Sequence, residues 1–127
     1  MWKIDSSREK YARFIALALL PLIVAALFVL GSLPFVAVFF PVPYDKLAHL
    51  LLFAILSVLF GAASGLLPLP RAGVLLAALC SALAVGAADE LHQAFVPGRS
   101  AGWDDFAFDF AGTLYGLWVL VRLGLAR

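Results

Sequence analysis

The chain has 127 residues, of which 65% are hydrophobic and 13% are charged. Soluble domains are typically about half apolar and a quarter charged, and a chain of this length could not bury so much apolar surface in its own core. The composition therefore excludes an ordinary soluble domain and indicates an integral membrane protein. The formal net charge of +1 argues against nucleic acid as a partner. The single cysteine, Cys80, excludes an intrachain disulfide and a cysteine metal site.

Four apolar segments are long enough to cross a bilayer, which takes about 20 mostly apolar residues in a helix. The first contains Pro21, which should kink it. The second carries only His49 as a titratable side chain in its interior, and the third is rich in alanine. The fourth reaches spanning length only if Asp109 lies in the membrane or at its edge, and its Gly112 and Gly116 favour a tight helix contact. The predicted helices are about 14–33, 46–66, 72–91 and 104–123.

The connections between these segments differ in character. Residues 34–44 read PFVAVFFPVPY, which is too apolar for an exposed loop and favours a position in the membrane interface. A short proline-containing turn at 67–73 and a longer loop at 95–103 join the other helices. The predicted fold class is all-α, with residues 1–127 forming one domain. That domain is an integral membrane bundle of four transmembrane helices with an interfacial apolar segment after the first.

Basic residues predict the orientation, because Lys and Arg near helix ends favour the cytoplasmic side. The four that precede the first helix also resemble the start of a signal peptide. However, the apolar run of about 20 residues exceeds the 7–15 residues of a typical signal core, so a retained first helix is expected. With four crossings, seven of the nine basic residues lie on one face, namely Lys3, Arg8, Lys10, Arg13, Arg71, Arg122 and Arg127. Both termini are therefore expected in the cytoplasm.

The opposite face holds six of the eight acidic residues, with Lys46 and Arg99 as its basic residues. Ionisable groups in a membrane are costly, so they usually face a bundle interior and often mark function. Three pairs of polar residues stand three or four positions apart and therefore share a helix face. These pairs are Asp45 with His49, Glu90 with Gln93, and Asp105 with Asp109. In the first and third pairs the second member would lie about 6 Å deeper than the first, which predicts a shallow polar pit beneath Arg99.

Each of these residues also has a structural explanation. Asp45 suits the cap of the second helix, and Asp105 suits the N-terminal end of a helix dipole. Glu90 and Arg99 would form an ion pair that holds the loop. In the functional alternative, Arg99 would fold over the pit and fork onto one of its carboxylates, or onto a phosphate or carboxylate of a ligand. Three pairs on one face of so apolar a chain nevertheless favour a genuine site.

The segment DELHQAFVPGRS (89–100) resembles the VanZ-like family, as do DKLAH (45–49) and the carboxylates Asp105 and Asp109. The resemblance covers about residues 43–120. Where family members often carry Asn, this chain has Asp109, which makes the pit more acidic. The resemblance implies a small, multi-pass protein of the bacterial inner membrane and cell envelope, of a type associated with glycopeptide and teicoplanin resistance. It implies no particular reaction.

One functional hypothesis is an envelope-facing binding or accessory protein. Its partner would be a membrane lipid or a lipid-linked cell-wall precursor. Lys46 and Arg99 would engage an anionic group of this ligand, while Asp45, Gln93 and Asp109 would complete the binding site.

A second hypothesis is a hydrolase or transferase embedded in the membrane. His49, Glu90 and Asp105 are the candidate catalytic residues, and His49 is the best proton carrier because imidazole has a reference pKa of about 6.5. With Asp109, these residues would also suit a divalent metal such as Mg²⁺, Mn²⁺ or Zn²⁺, although no metal-spacing motif is present. Further alternatives are a flippase, which would need a homo-oligomer, and a structural subunit of a larger membrane complex.

Overall fold

The computed structural model describes residues 5–126, and this part of the chain is helical without any strand. The all-α prediction is confirmed. Four helices are long and one, α2, is a single turn within the apolar segment after α1. The helices are α1 (Ser6–Gly31), α2 (Val36–Phe39), α3 (Tyr44–Ser64), α4 (Arg71–Gln93) and α5 (Trp103–Arg122).

The helix bounds follow the apolar segments closely except at the start of the chain. Helices α3, α4 and α5 begin and end within two residues of their predicted bounds. Helix α1 begins at Ser6, eight residues before the predicted start at Phe14. The prediction counted only the apolar run, whereas Glu9 and Arg13 form an ion pair one helical turn apart that continues the helix beyond it.

Helices α1, α3 and α4 are long and apolar enough to cross a membrane. Helix α5, the fourth predicted span, is not among the helices that are apolar enough by this comparison. Its first two turns carry three carboxylates, those of Asp104, Asp105 and Asp109. Large apolar side chains such as Leu22 and Leu76 lie exposed on the outside of the bundle, as expected where lipid rather than water is the solvent. The described chain is therefore a helical bundle of membrane type.

Helix α3 lies at the centre of the bundle and packs most extensively against α5. A side-chain carbon at Gly112 would overlap the carbonyl of Leu50, and one at Gly116 would overlap that of Ala54. The predicted tight contact is confirmed, because only glycine lets the two backbones approach this closely. From the first contact to the second, the position moves four residues forward on α5 and four residues forward on α3. The two helices therefore run parallel and begin at the same end of the bundle.

Helices α1 and α4 finish at the end where α3 and α5 begin. There the hydroxyl of Ser32, directly after α1, lies 3.1 Å from Nε2 of His92 on α4. We call this end of the bundle the polar end. At the opposite end Arg13 donates a hydrogen bond to the carbonyl of Leu125. Between the two ends, Phe53 and Leu56 of α3 are fully buried in the core.

Candidate functional site

Three contacts between charged or polar side chains join α3 to α5 at the polar end. Lys46 forms ion pairs with Asp105 and with Asp104, whose Oδ2 lies 2.6 Å from the Lys46 Nζ. One turn deeper, Nδ1 of His49 lies 2.7 Å from Oδ1 of Asp109. Residues three or four apart stack on one face of a helix, and the two helices are parallel, so the contacts fall in register. The predicted difference in depth within the pit is therefore observed.

Asp45 lies at the mouth of the site and does not cap α3. The cap residue is Pro43, which precedes the first turn that contains Asp45. One oxygen of the Asp45 carboxylate accepts a hydrogen bond of 2.8 Å from the backbone N–H of Lys46, and the other lies 3.6 Å from the Lys46 ammonium. The capping explanation of Asp45 is wrong, because the helix starts one residue before it.

Helix α4 supplies a buried carboxylate, Asp89, that sequence reasoning left outside the site. Asp89 is 0% exposed. Its Oδ2 accepts a hydrogen bond of 2.8 Å from Gln93, and within the described residues its Oδ1 has no hydrogen-bond partner. Gln93 in turn accepts a hydrogen bond of 3.2 Å from Arg99. The spacing of four residues between Asp89 and Gln93 could have indicated this contact, but the prediction paired Gln93 with Glu90, three positions away.

Glu90 holds the loop between α4 and α5 through the backbone. Its Oε2 accepts a hydrogen bond of 2.7 Å from the N–H of Gly102. The expected ion pair between Glu90 and Arg99 is absent from the described part of the chain, as is any fork of Arg99 onto a carboxylate. The loop brings the Gly102 amide onto Glu90, while the guanidinium reaches the Gln93 side-chain carbonyl instead.

A cavity of about 670 Å³ opens at the polar end between α1, α2, α3, the end of α4 and the loop that leads into the start of α5. One wall is apolar and includes Leu27, Leu30 and Phe40. The other wall is polar, and six of the eight predicted site residues line it: Asp45, Lys46, His49, Gln93, Arg99 and Asp105. Glu90 instead lines a neighbouring cavity of about 440 Å³. The structure thus brings most of the predicted residues to one cavity.

Asp109 is the predicted ligand-binding residue that the structure places away from the cavity. It is 0% exposed and lies behind His49. Its Oδ2, which has no hydrogen-bond partner among the described residues, lies against Gly86. A methyl group at Gly86 would approach that oxygen to 3.0 Å, so the space around it is closed. Asp109 therefore orients His49 and does not face a ligand in the cavity.

The metal ligands expected from sequence are also rearranged. His49, Asp89 and Glu90 each offer a donor atom, and these atoms lie within 4.8 Å of one another. Asp105, which the prediction included, is bound to Lys46 instead. Of the predicted set, His49 and Glu90 remain, and the buried Asp89 is the third donor of the observed group.

The sequence profile of the VanZ/LLP1 family matches residues 3–124, which is nearly the whole chain. The match confirms the resemblance seen in residues 45–49 and 89–100 and extends it to the first helix. No curated protein and no solved structure matches the chain significantly.

Proposed function

Since the chain belongs to the VanZ/LLP1 family, we propose that it is a bacterial inner-membrane protein that binds an anionic cell-envelope lipid or lipid-linked precursor. The observation that carries this proposal is the two-sided cavity of about 670 Å³ at the polar end. Binding sites of this kind combine a mainly apolar lining with a few polar groups that fix the orientation of the ligand. An amphipathic molecule would lay its hydrocarbon chain on one wall and its headgroup on the other.

The apolar wall supports entry of the ligand from the membrane. It is formed by the end of α1 and by residues around α2, including Leu30, Val36 and Phe40. On the outer side of α2, Val38 is 76% exposed and Phe39 is 73% exposed. Apolar side chains this exposed favour contact with lipid, in agreement with the interfacial position expected for residues 34–44. A lipid that slides along α2 would reach the cavity without crossing water.

Arg99 is the best candidate to bind the headgroup. Of the two basic residues expected on the outer face, Lys46 is already paired with Asp104 and Asp105. Arg99 forms no ion pair with any residue between 5 and 126 and donates one hydrogen bond, to Gln93. A guanidinium has five N–H donors in a fork that suits phosphate. We therefore assign the anionic group of the ligand to Arg99 first and to Lys46 second.

The same proposal includes α5 as the fourth membrane span, with the polar end facing outward. The three carboxylates that weaken the apolar character of α5 lie in its first two turns. Two of them, Asp105 and Asp109, face α3 and contact Lys46 and His49. Ionisable groups in membrane helices are tolerated when they face the bundle and pair with one another. Four crossings would place both termini and most basic residues in the cytoplasm.

A lipid titration tests the binding proposal. The full chain, purified in detergent, is titrated with a polyprenyl phosphate, phosphatidylglycerol and phosphatidylcholine, and bound lipid is counted by native mass spectrometry. We expect saturable binding of the two anionic lipids only. Arg99→Gln should weaken it about tenfold or more, since a hydrogen bond to a charged group contributes about 1.5–3 kcal/mol.

The control is Arg71→Gln, which makes the same charge change at the opposite end of the bundle, where Arg71 is exposed. It should leave lipid binding unchanged. Equal binding of all three lipids, or equal weakening by the two variants, would contradict the proposal.

The antibiotic context that the resemblance implies is part of this proposal as well. A protein that sequesters or presents an envelope lipid would alter the response of the cell to glycopeptides that act on the envelope. We expect expression of the chain to raise the inhibitory concentration of teicoplanin, and Arg99→Gln to abolish that increase. An increase that persists in Arg99→Gln would separate the resistance phenotype from the cavity.

A further inference from the structure

Three donor side chains from α3 and α4 meet at the base of the polar end. One donor atom from each of His49, Asp89 and Glu90 lies within 4.8 Å of the other two. One imidazole and two carboxylates form a mixed nitrogen and oxygen set, which suits Zn²⁺ and Mn²⁺ among the common divalent ions. The group therefore has the composition of a metal site, although a cluster of this kind needs independent support.

That support comes from the unsatisfied oxygens of the two carboxylates. Asp89 is 0% exposed, and its Oδ1 has no hydrogen-bond partner among residues 5–126. Oε1 of the half-buried Glu90 likewise has no hydrogen-bond partner among these residues. Neither Lys46 nor Arg99 supplies the missing partner, because Lys46 pairs with α5 and Arg99 donates to Gln93. Buried carboxylate oxygens without a partner are costly unless a cation or a proton joins them.

The orientation of His49 also fits a metal ligand. Its Nδ1 is engaged by Asp109, which leaves Nε2 as the nitrogen available to a ligand. The ring lies nearly parallel to that of Phe53, with an interplanar angle of 6°. A carboxylate on one ring nitrogen commonly fixes the ring and raises the basicity of the other nitrogen toward a metal. Asp109 would therefore be a positioning residue rather than a ligand.

We propose that His49, Asp89 and Glu90 bind one divalent cation, Zn²⁺ or Mn²⁺, at the base of the cavity. Metal–ligand bonds of about 2.1 Å would place the donor atoms about 3–3.5 Å from one another. Because His49 and Asp89 line the cavity, a further coordination position would face it. The site does not depend on the lipid proposal, since its ligands all belong to the chain.

Calorimetry without lipid tests the metal site. The full chain, purified in detergent and stripped with a chelator, is titrated with Zn²⁺ and with Mn²⁺. We expect one ion per chain. Asp109→Asn should weaken binding about tenfold, and Asp89→Asn and Glu90→Gln should each weaken it at least as much. Asp89→Asn and Glu90→Gln each keep an oxygen that accepts the existing hydrogen bond, from Gln93 and from the Gly102 amide respectively. These variants should therefore fold, which circular dichroism checks.

The control is Asp104→Asn, which removes a carboxylate at the mouth of the same end, where the Asp104 side chain is 65% exposed. It should bind metal as the unmodified chain does. The proposal is overturned if the folded chain binds neither ion saturably, or if Asp104→Asn weakens binding as much as Glu90→Gln. If the unmodified chain binds the metal but binds no anionic lipid, the result would count against the lipid proposal alone.

Discussion

The imidazole Nδ1 of His49 lies 2.7 Å from a carboxylate oxygen of Asp109, a residue with no exposed surface. This contact connects α3 to α5 inside the bundle, one turn below the ion pairs of Lys46. It places the single titratable side chain in the interior of α3 between a buried carboxylate and the cavity. The geometry of the polar end therefore depends on how these two parallel helices pack.

The contact between His49 and Asp109 should be measurable as a coupling energy. We predict that His49→Ala and Asp109→Ala each destabilise the bundle, and that the double variant loses less than the sum of the two. For residues in direct contact the coupling is typically about 0.5–3 kcal/mol. The measurement is a double-mutant cycle on the free energy of unfolding in mixed micelles, and additive losses would contradict the contact.

The close approach of α3 and α5 should tolerate no side chain at Gly112. We predict that Gly112→Ala lowers the free energy of unfolding by about 1–3 kcal/mol, because the added carbon would overlap the carbonyl of Leu50. Ala111→Val enlarges the neighbouring, exposed position and should change stability by less than about 0.5 kcal/mol. Equal effects of the two substitutions would show that the helices are not in close contact at Gly112.

The loop before α5 should lose protection when Glu90 can no longer accept a hydrogen bond. We predict that Glu90→Ala accelerates hydrogen exchange at the Gly102 amide about tenfold or more, since a hydrogen bond to a charged group contributes about 1.5–3 kcal/mol. Glu90→Gln, which keeps an acceptor oxygen, should exchange more slowly than Glu90→Ala. Unchanged exchange in Glu90→Ala would mean that the loop is held by other contacts.

The proposed fourth crossing predicts opposite labelling of the two ends of α5. In a Cys80→Ser background, Ser100→Cys should react with a membrane-impermeant maleimide added outside the cytoplasmic membrane. Arg122→Cys should react only after the membrane is permeabilised. The reason is that α5, from Trp103 to Arg122, is long enough to span the hydrocarbon core. Labelling of both cysteines from the same side would rule out the fourth crossing.

Much of the fold could be predicted from the sequence, because apolar length and helical spacing are local properties. The bounds of α3, α4 and α5 followed from the lengths of their apolar runs. The glycines at 112 and 116 indicated the tight contact, since their spacing puts both on one face. The start of α1 was missed, because charged residues beyond an apolar run extend a helix without adding to its hydropathy.

The partners within the site could not be predicted, because they depend on which helices are neighbours. The sequence placed Lys46 and Asp105 at one membrane face, but only the parallel packing of α3 and α5 makes them an ion pair. Likewise, Asp89 and Glu90 are adjacent in sequence and equally acidic. Packing buries Asp89 completely and leaves Glu90 half-buried against the Gly102 amide. Local spacing cannot decide which of two neighbouring carboxylates faces the interior.

The most direct test of the lipid-binding proposal is to locate the bound lipid by photocrosslinking. The full chain in vesicles is irradiated with a diazirine-bearing phosphatidylglycerol, and the labelled peptides are mapped by mass spectrometry. We expect labels concentrated on the segment from Leu27 to Phe40, which forms the apolar wall, and their loss in Arg99→Gln but not in Arg71→Gln. Labels spread evenly over exposed apolar residues such as Leu76, and unchanged in Arg99→Gln, would contradict it.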